Sequence, residues 1–427
     1  MNQKVTVAIA GLGARGLETY AKATKLFPKE MQIVAVADPI AERVRAAAAE
    51  YHVAPECCFD SAEKMLEQNR LADVLFLCTQ VRQHAGHALP ALKKGYHLLL
   101  EKPISPFLAD CRAIAETARE YKRRVVVCHV LRYTPFYQKI KEIIQSGRIG
   151  EVIAIQATEN VAYWHQAHSF VRGNWRNSDT SSPMILQKSC HDMDILLWLA
   201  GKSCKTVSSF GSLTHFQEKN APEGSTERCT QDCLVKENCP YNAERFYLTE
   251  GVRKGKTDWP INVLSMHPTE VSIRSALEHG PYGRCVYRCD NNVVDHQVVN
   301  LELEDHATIS FTMCAFTSKN QRYVKVMGTH GDIEADMNTN LIELDIFGKQ
   351  HELIDVSALS DDFSGHGGGD NRMIRDLIDQ IHDDRHSSSA LSSIEQSMES
   401  HYVALAAEYS RLHDGQGVDL QKFVSDR

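Results

Sequence analysis

The chain has 427 residues, 43% of them hydrophobic and 24% charged, with a formal net charge of −8. That length is more than one ordinary core holds and predicts two domains of a globular protein. The acidic balance argues against a nucleic-acid partner and no apolar run reaches the roughly 18 residues of a membrane span; Met1 leads almost at once into an apolar run with no room for a signal peptide, so a cytoplasmic protein is expected.

The first informative stretch is 5–38. An apolar run, Val5 to Ala10, ends in Gly11-Leu12-Gly13-Ala14-Arg15-Gly16; a helix-like stretch follows, and a second apolar run ends at Asp38. Strand, glycine turn, helix, strand and acid in that order predict a dinucleotide site. Gly11 permits the tight turn, Gly13 lets backbone approach a pyrophosphate, and Gly16 lets the helix pack on the sheet. Asp38 suits the two hydroxyls of an adenosine ribose and repels a 2′-phosphate, which favours NAD over NADP; Arg43 is the residue that could still hold NADP.

Helices are predicted over 40–51 and 61–68, a buried strand over 72–78, a helix near 86–94, and strands over 97–100 and 125–127. This alternation reads as an α/β, doubly wound parallel sheet of Rossmann type, with ligands at the carboxyl ends of the strands. Thr79, Glu101 and Lys102 sit at those ends, with His84 in the loop after Thr79. Lys102, followed by Pro103, is a candidate donor to a substrate oxygen.

Beyond about residue 128 the pattern changes. A helix over 136–145 is followed by alternating strands at 152–158, 293–303, 307–316, 323–328 and 341–347, which predicts an open, mainly antiparallel sheet in an α+β domain. The expected division is 1–127 for the dinucleotide domain and 128–427 for a substrate and oligomerisation domain. The loop 160–176 (NVAYWHQAHSFVRGNWR) is rich in aromatics, histidines and arginines. Trp164 or Trp175 would stack on a sugar ring, and His165, His168 or Arg172 would bond its hydroxyls; packing on another subunit is the alternative. Residues 185–200 read as one helix closed by Gly201, with Gln187, His191 and Asp194 on one face. A histidine there suits proton transfer at neutral pH.

GLGARG at 11–16, AVADP at 35–39, GYHLLLEKP at 95–103, HVLRYTPFY at 129–137 (which carries Arg132 and Tyr133), SGRIGEV at 146–152 and HDMDILLWL at 191–199 together resemble the glucose-fructose oxidoreductase, inositol dehydrogenase and rhizopine-catabolism (Gfo/Idh/MocA) family. The resemblance implies a catalytic pair of Lys102 and His191. It also implies a departure: family dehydrogenases commonly carry an aspartate where this chain has Gln187, followed by Lys188. Glutamine can orient an imidazole but cannot offset its charge; Asp194, one turn later, could supply that charge, or Lys188 could alter the proton path.

The expected activity is hydride transfer between NAD and a secondary hydroxyl of a sugar, inositol or related polyol. The alternatives are a redox-neutral, NAD-dependent glycosidase and a non-catalytic sensor. A homo-oligomer is expected from the open sheet. Two features stand apart. An irregular, Cys-containing insertion at about 214–290, too polar to hold itself by burial, carries Cys229, Cys233, Cys239 and Cys285, which could bind structural zinc or an iron–sulfur cluster or remain thiols. Near the end, His366 precedes a glycine run and Asp370, read as the N-cap of a helix; a last helix is expected over 393–412, and His366 could reach substrate.

Overall fold

The computed structural model describes residues 4–426 except 384, 385, 387 and 389. Apolar β-branched runs make the first sheet. Its strands are β1 (Val5–Ala10), β2 (Met31–Ala37), β3 (Cys58–Phe59), β4 (Val74–Leu77), β5 (His97–Leu100) and β6 (Val125–Val127), all parallel, in the order β3-β2-β1-β4-β5-β6. Strands β1, β4, β5 and β6 are buried nearly throughout because helices cover both faces. The order reverses between β1 and β4, so the crevice that accepts ligands in such sheets opens just beyond the ends of β1 and β4, at Gly11 and Thr79.

The second sheet has nine strands. After helix α1 (Pro135–Gln145), β7 (Val152–Ala162) enters at its middle, followed by α2 (Met184–Gln187), α3 (Cys190–Ala200), β8 (Cys204–Ser212) and α4 (Glu270–His279). Strands β9 (His296–Leu303), β10 (Thr308–Thr317), β11 (Gln321–Gly328), β12 (Gly331–Asp336), β13 (Leu341–Ile346) and β14 (Glu352–Asp355) follow, with a short β15 (Val418–Asp419) at the far edge. The order is β14-β13-β12-β11-β7-β10-β9-β8-β15, antiparallel except for the β7–β10 pair. One face is apolar and is covered by α1, α3 and the long helix Ile394–Leu412, so Phe136, Ile140, Leu196, Leu199, Val403 and Ala407 share one core with Ile309 and Phe311.

Two helices near the end of the chain tie the sheets together. Gly369–His382 lays Met373, Ile374, Leu377 and Ile378 against the core under β1 and β2, and Ile394 and Met398 enter the core on the other side of the first sheet. At the edge of that sheet Val127 N donates to the Ser392 carbonyl at 2.8 Å. Among the described residues no helix is long and apolar enough to cross a membrane.

Three expectations change. The helix predicted over 185–200 is two helices broken at Lys188 and Ser189, so Gln187 does not share a helix face with His191. Asp370 lies inside the first turn of its helix, and Gly368, with φ of 82°, stands at the N-cap position. The insertion does bury apolar groups of its own: Tyr247, Leu248, Ile261, Ile273 and Leu277 form one small core, and Phe216, Tyr241, Val286 and Tyr287 form another with Ala167 and Val171.

Candidate active site

The dinucleotide side is built by the first glycine turn. Gly11 has φ of 90°, and a Cβ there would lie 2.5 Å from the Cys78 carbonyl oxygen. At Gly16 a Cβ would lie 1.9 Å from the Gly11 carbonyl oxygen, so only glycine lets the helix start this close to the turn. Gly13 faces open space, and Ala14 beyond it is exposed. Asp38 is buried at the end of β2; its Oδ2 accepts from Leu12 N at 2.7 Å and its Oδ1 from Ile40 N at 2.8 Å. Arg43 stands 3.7 Å from the same carboxylate. An open backbone cradle beside a buried acid fits a dinucleotide: Gly13 and the start of the helix would take the pyrophosphate, and Asp38 the ribose.

Lys102 follows β5, and its peptide bond to Pro103 is cis. Two buried histidines hold this loop. His84 lies with Nε2 3.1 Å from the Thr79 carbonyl oxygen and Nδ1 3.0 Å from that of Pro103; Ile104 N donates to His401 Nε2 at 2.8 Å. The His84 ring is thereby occupied by backbone, a correction to its expected role as a cofactor ligand. Thr79 Oγ1 is 3.2 Å from His87 Nδ1.

Lys102 Nζ donates to the Gln187 carbonyl at 2.9 Å. In an unbroken helix that carbonyl would accept from the N–H of residue 191. The lysine ammonium takes this place, the helix breaks after Gln187, and His191 falls in the first turn of α3. A helix N-terminus disfavours an imidazolium. His191 is buried, and burial together with Lys102, His129 and His366 holds it well below the ordinary histidine value, so the ring is uncharged at neutral pH and one nitrogen keeps its lone pair. Gln187 itself turns its Oε1 to Ser182 Oγ at 2.7 Å. Asp194 is also taken: it forms a buried bidentate pair with Arg132, Nε and Nη2 each at 2.7 Å.

Behind His191 is a residue the sequence reading passed over. His129 is fully buried, its ring edge-on to His191 at 5.9 Å, with Nδ1 3.7 Å from Asp194 Oδ2 and neither nitrogen hydrogen-bonded. Burial and the charges of Arg132 and Lys102 keep it neutral.

Two charge networks flank the site. On the dinucleotide side Arg15 donates to Glu101 at 2.6 Å and to Asp370 at 2.7 Å, and Tyr20 OH donates to Glu101 at 2.6 Å. His366 Nδ1 is 3.0 Å from Asp370, and its ring is 5.9 Å from that of His191. Burial would raise Glu101, but Arg15 and Lys102 outweigh it and keep the carboxylate ionised. On the other side Arg322 Nε lies 2.7 Å from Glu159 and 2.8 Å from Asp192, and Lys188 Nζ lies 2.6 Å from Glu159. Next to this network His165 donates from Nδ1 to Asn320 Oδ1 at 2.9 Å; burial, with Lys188 beside it, pushes its pKa down to about 3. Its neutral ring therefore keeps Nε2 as an acceptor.

Several residues expected at the substrate are used elsewhere. Tyr133 OH donates to Asp376 at 3.2 Å, Arg132 is held by Asp194, and Trp175 packs on Phe170. His168 bonds Tyr247 OH at 2.6 Å and stacks on Tyr282, while Arg172 donates to the carbonyls of Arg284 and Tyr241 at 2.7 and 2.8 Å. These two hold the insertion. Cys229, Cys233, Cys239 and Cys285 do line one small cavity with Arg172, yet among the described residues no three His, Cys, Asp or Glu side chains are grouped to hold a metal ion. All thirteen cysteines are free thiols, so the structure does not support the expected zinc or iron–sulfur site.

Comparison with known proteins agrees with this architecture. Residues 5–129 match the model of the oxidoreductase family with an NAD-binding Rossmann fold, and residues 141–418 match that of its C-terminal alpha/beta domain. The putative oxidoreductase YteT of Bacillus subtilis is 24% identical over 87% of this chain and 88% of its own. Inositol 2-dehydrogenase of Salmonella typhimurium is 26% identical over 42% of this chain, which spans only 50% of that enzyme. In fold, the WlbA dehydrogenase of Bordetella pertussis, solved with NADH and UDP-GlcNAcA, superposes with a TM-score of 0.68 at 16% identity, covering 98% of this chain and 99% of that one. With family models matched through both sheets, the chain belongs to the Gfo/Idh/MocA oxidoreductases, enzymes that bind NAD in a Rossmann domain and act on hydroxyl groups.

Proposed function

We propose that this protein transfers a hydride between NAD and a secondary hydroxyl of a sugar, inositol or related polyol, with Lys102 and His191 handling the proton. The observation that carries the reading is the bond from Lys102 Nζ to the Gln187 carbonyl, which joins the carboxyl edge of the first sheet to the helix break that sets His191 at a helix N-terminus. Asp38 supports NAD over NADP, since its carboxylate already receives two backbone N–H groups where a 2′-phosphate would be repelled.

Bound NAD supplies the hydride acceptor at its nicotinamide. In the oxidation direction Lys102 gives a hydrogen bond to the reacting hydroxyl and steadies the developing alkoxide, and neutral His191 accepts its proton. His129 lies beside His191 with Asp194 3.7 Å from its Nδ1, so Asp194, already paired with Arg132, is separated from His191 by that ring. His165 Nε2 and the Lys188–Glu159–Arg322 network offer bonds to the other hydroxyls.

The test is a pair of variants. Lys102→Met and His191→Ala should each lower kcat by at least about a hundredfold while NAD still binds with its ordinary affinity, given typical acid–base contributions. Unchanged turnover in either variant would overturn its assignment. A second reading uses the same pair without net redox, to cleave a glycoside by transient oxidation and elimination; it is favoured by the aromatic cluster around Trp164.

A further inference from the structure

The insertion does more than pack on itself. It brings Phe246 and Trp259 to the loop after β7, where Trp164 stacks on His165 at 5.6 Å and 24° and on Phe246 at 5.5 Å and 25°. Trp259 closes the cluster from the other side, 5.6 Å from Trp164 and 5.0 Å from His165, yet its side of the cluster remains open and the residue is 42% exposed. A single exposed apolar side chain needs no explanation. This one adjoins three rings, Trp164, His165 and His168, and His165 bonds Asn320, two residues before Arg322 of the buried charge network. Aromatic surface therefore continues outward from the polar end of the site.

Such a sequence, polar groups around the reacting end and a flat aromatic wall beyond, fits a ligand longer than one ring. A free monosaccharide or inositol at Lys102 would use the polar groups and leave Trp259 in water. We infer that Trp259 and Trp164 form an outer subsite for the second ring of a glycoside, so that the substrate is a glycoside or oligosaccharide and not a free polyol. The inference rests on the placement of the reacting sugar at Lys102 and His191.

The probe is a set of p-nitrophenyl glycosides of common hexoses, pentoses and uronic acids, each against the methyl glycoside of the same sugar. The two members of a pair block the same hydroxyl; because nitrophenolate is also the better leaving group, the subsite is read from the Trp259 dependence of the preference and not from the preference alone. With NAD present, the wild-type protein should prefer the aryl glycoside in kcat/KM by about tenfold or more, roughly what one well-packed aromatic contact contributes. Trp259→Ala should remove most of that preference and Trp259→Phe should restore it. An equal ratio in wild type and Trp259→Ala would overturn the subsite. Calorimetric binding separates this outcome from failure of the reading beneath it. If no sugar is turned over but p-nitrophenyl glycosides still bind more tightly than methyl glycosides in a Trp259-dependent way, the subsite stands and the assigned chemistry falls; if binding shows no such dependence, the subsite falls as well.

Discussion

The two charge networks beside His191 contain similar groups in different settings. Arg15, Glu101 and Asp370 come from the glycine turn, the end of β5 and the helix Gly369–His382, so this network fastens the end of the chain to the dinucleotide domain. Arg322, Glu159, Asp192 and Lys188 all belong to the second domain, and Glu159 and Arg322 are register partners on β7 and β11. The first joins parts of the fold at the cofactor side. The second lies wholly within one domain, so damage to each should be read out differently.

The largest effect is expected where a cation is removed from the self-contained network. Arg322→Met leaves Glu159 and Asp192 buried without their shared partner and should cost about 3–5 kcal/mol in chemical unfolding, as broken buried pairs do. A loss below about 1 kcal/mol would mean the two acids are already neutralised by Lys188 or by protonation. Acid should come next. Burial holds His401 and His168 at about 3 each, below the roughly 6.5 of an unfolded chain. The unfolded chain therefore takes up protons first, and stability present above about pH 6.5 is lost as pH falls toward 3, by about 1.4 kcal/mol per pH unit for each ring. Calorimetric melting from pH 8 to pH 5 checks this; a flat Tm would contradict it. The same sign applies to His191, whose lowered value should move the acid limb of kcat/KM for oxidation below the ordinary histidine range.

The smallest effect sharpens the cofactor side. Gly13→Ala adds a methyl group to open space and should leave Tm unchanged while weakening NAD binding about tenfold, because backbone approach to a pyrophosphate is what that glycine allows. Gly16→Ala, which meets the Gly11 carbonyl, should lower Tm as well. Equal behaviour of the two would mean that Gly13 does not face the cofactor.

The same contrast explains what could be read from the sequence. The parallel sheet, its glycine turn and Lys102 at a strand end were legible because each depends on neighbours in the chain. Strand ends were not: reading β7 as finished at Thr158 and β11 as starting at Tyr323 left out Glu159 and Arg322, the two buried charges that face one another. The helix break before His191 was invisible because Lys102, whose ammonium takes up the carbonyl left free there, lies 85 residues away. His129 sits between a strand and a turn in a segment whose pattern carries no periodicity, and its role comes only from Asp194 and His191 meeting it in space. The stretch 160–176, expected as a loop, is instead the end of β7 followed by helical turns whose residues Gln166–Arg172 are all buried, and Arg172 and His168 turn inward to hold an insertion whose apolar residues are too scattered along the chain to announce a core.

The central claim is net hydride transfer at the Lys102–His191 pair, and the most direct test is product analysis by mass spectrometry after incubation with NAD and a panel of sugars, inositols and glycosides. Net hydride transfer predicts a keto product two mass units lighter than its substrate, with one NADH formed per product and neither seen with His191→Ala. A cleaved glycoside without accumulating NADH would contradict net oxidation and establish the redox-neutral reaction; NAD binding without any product would contradict catalysis altogether.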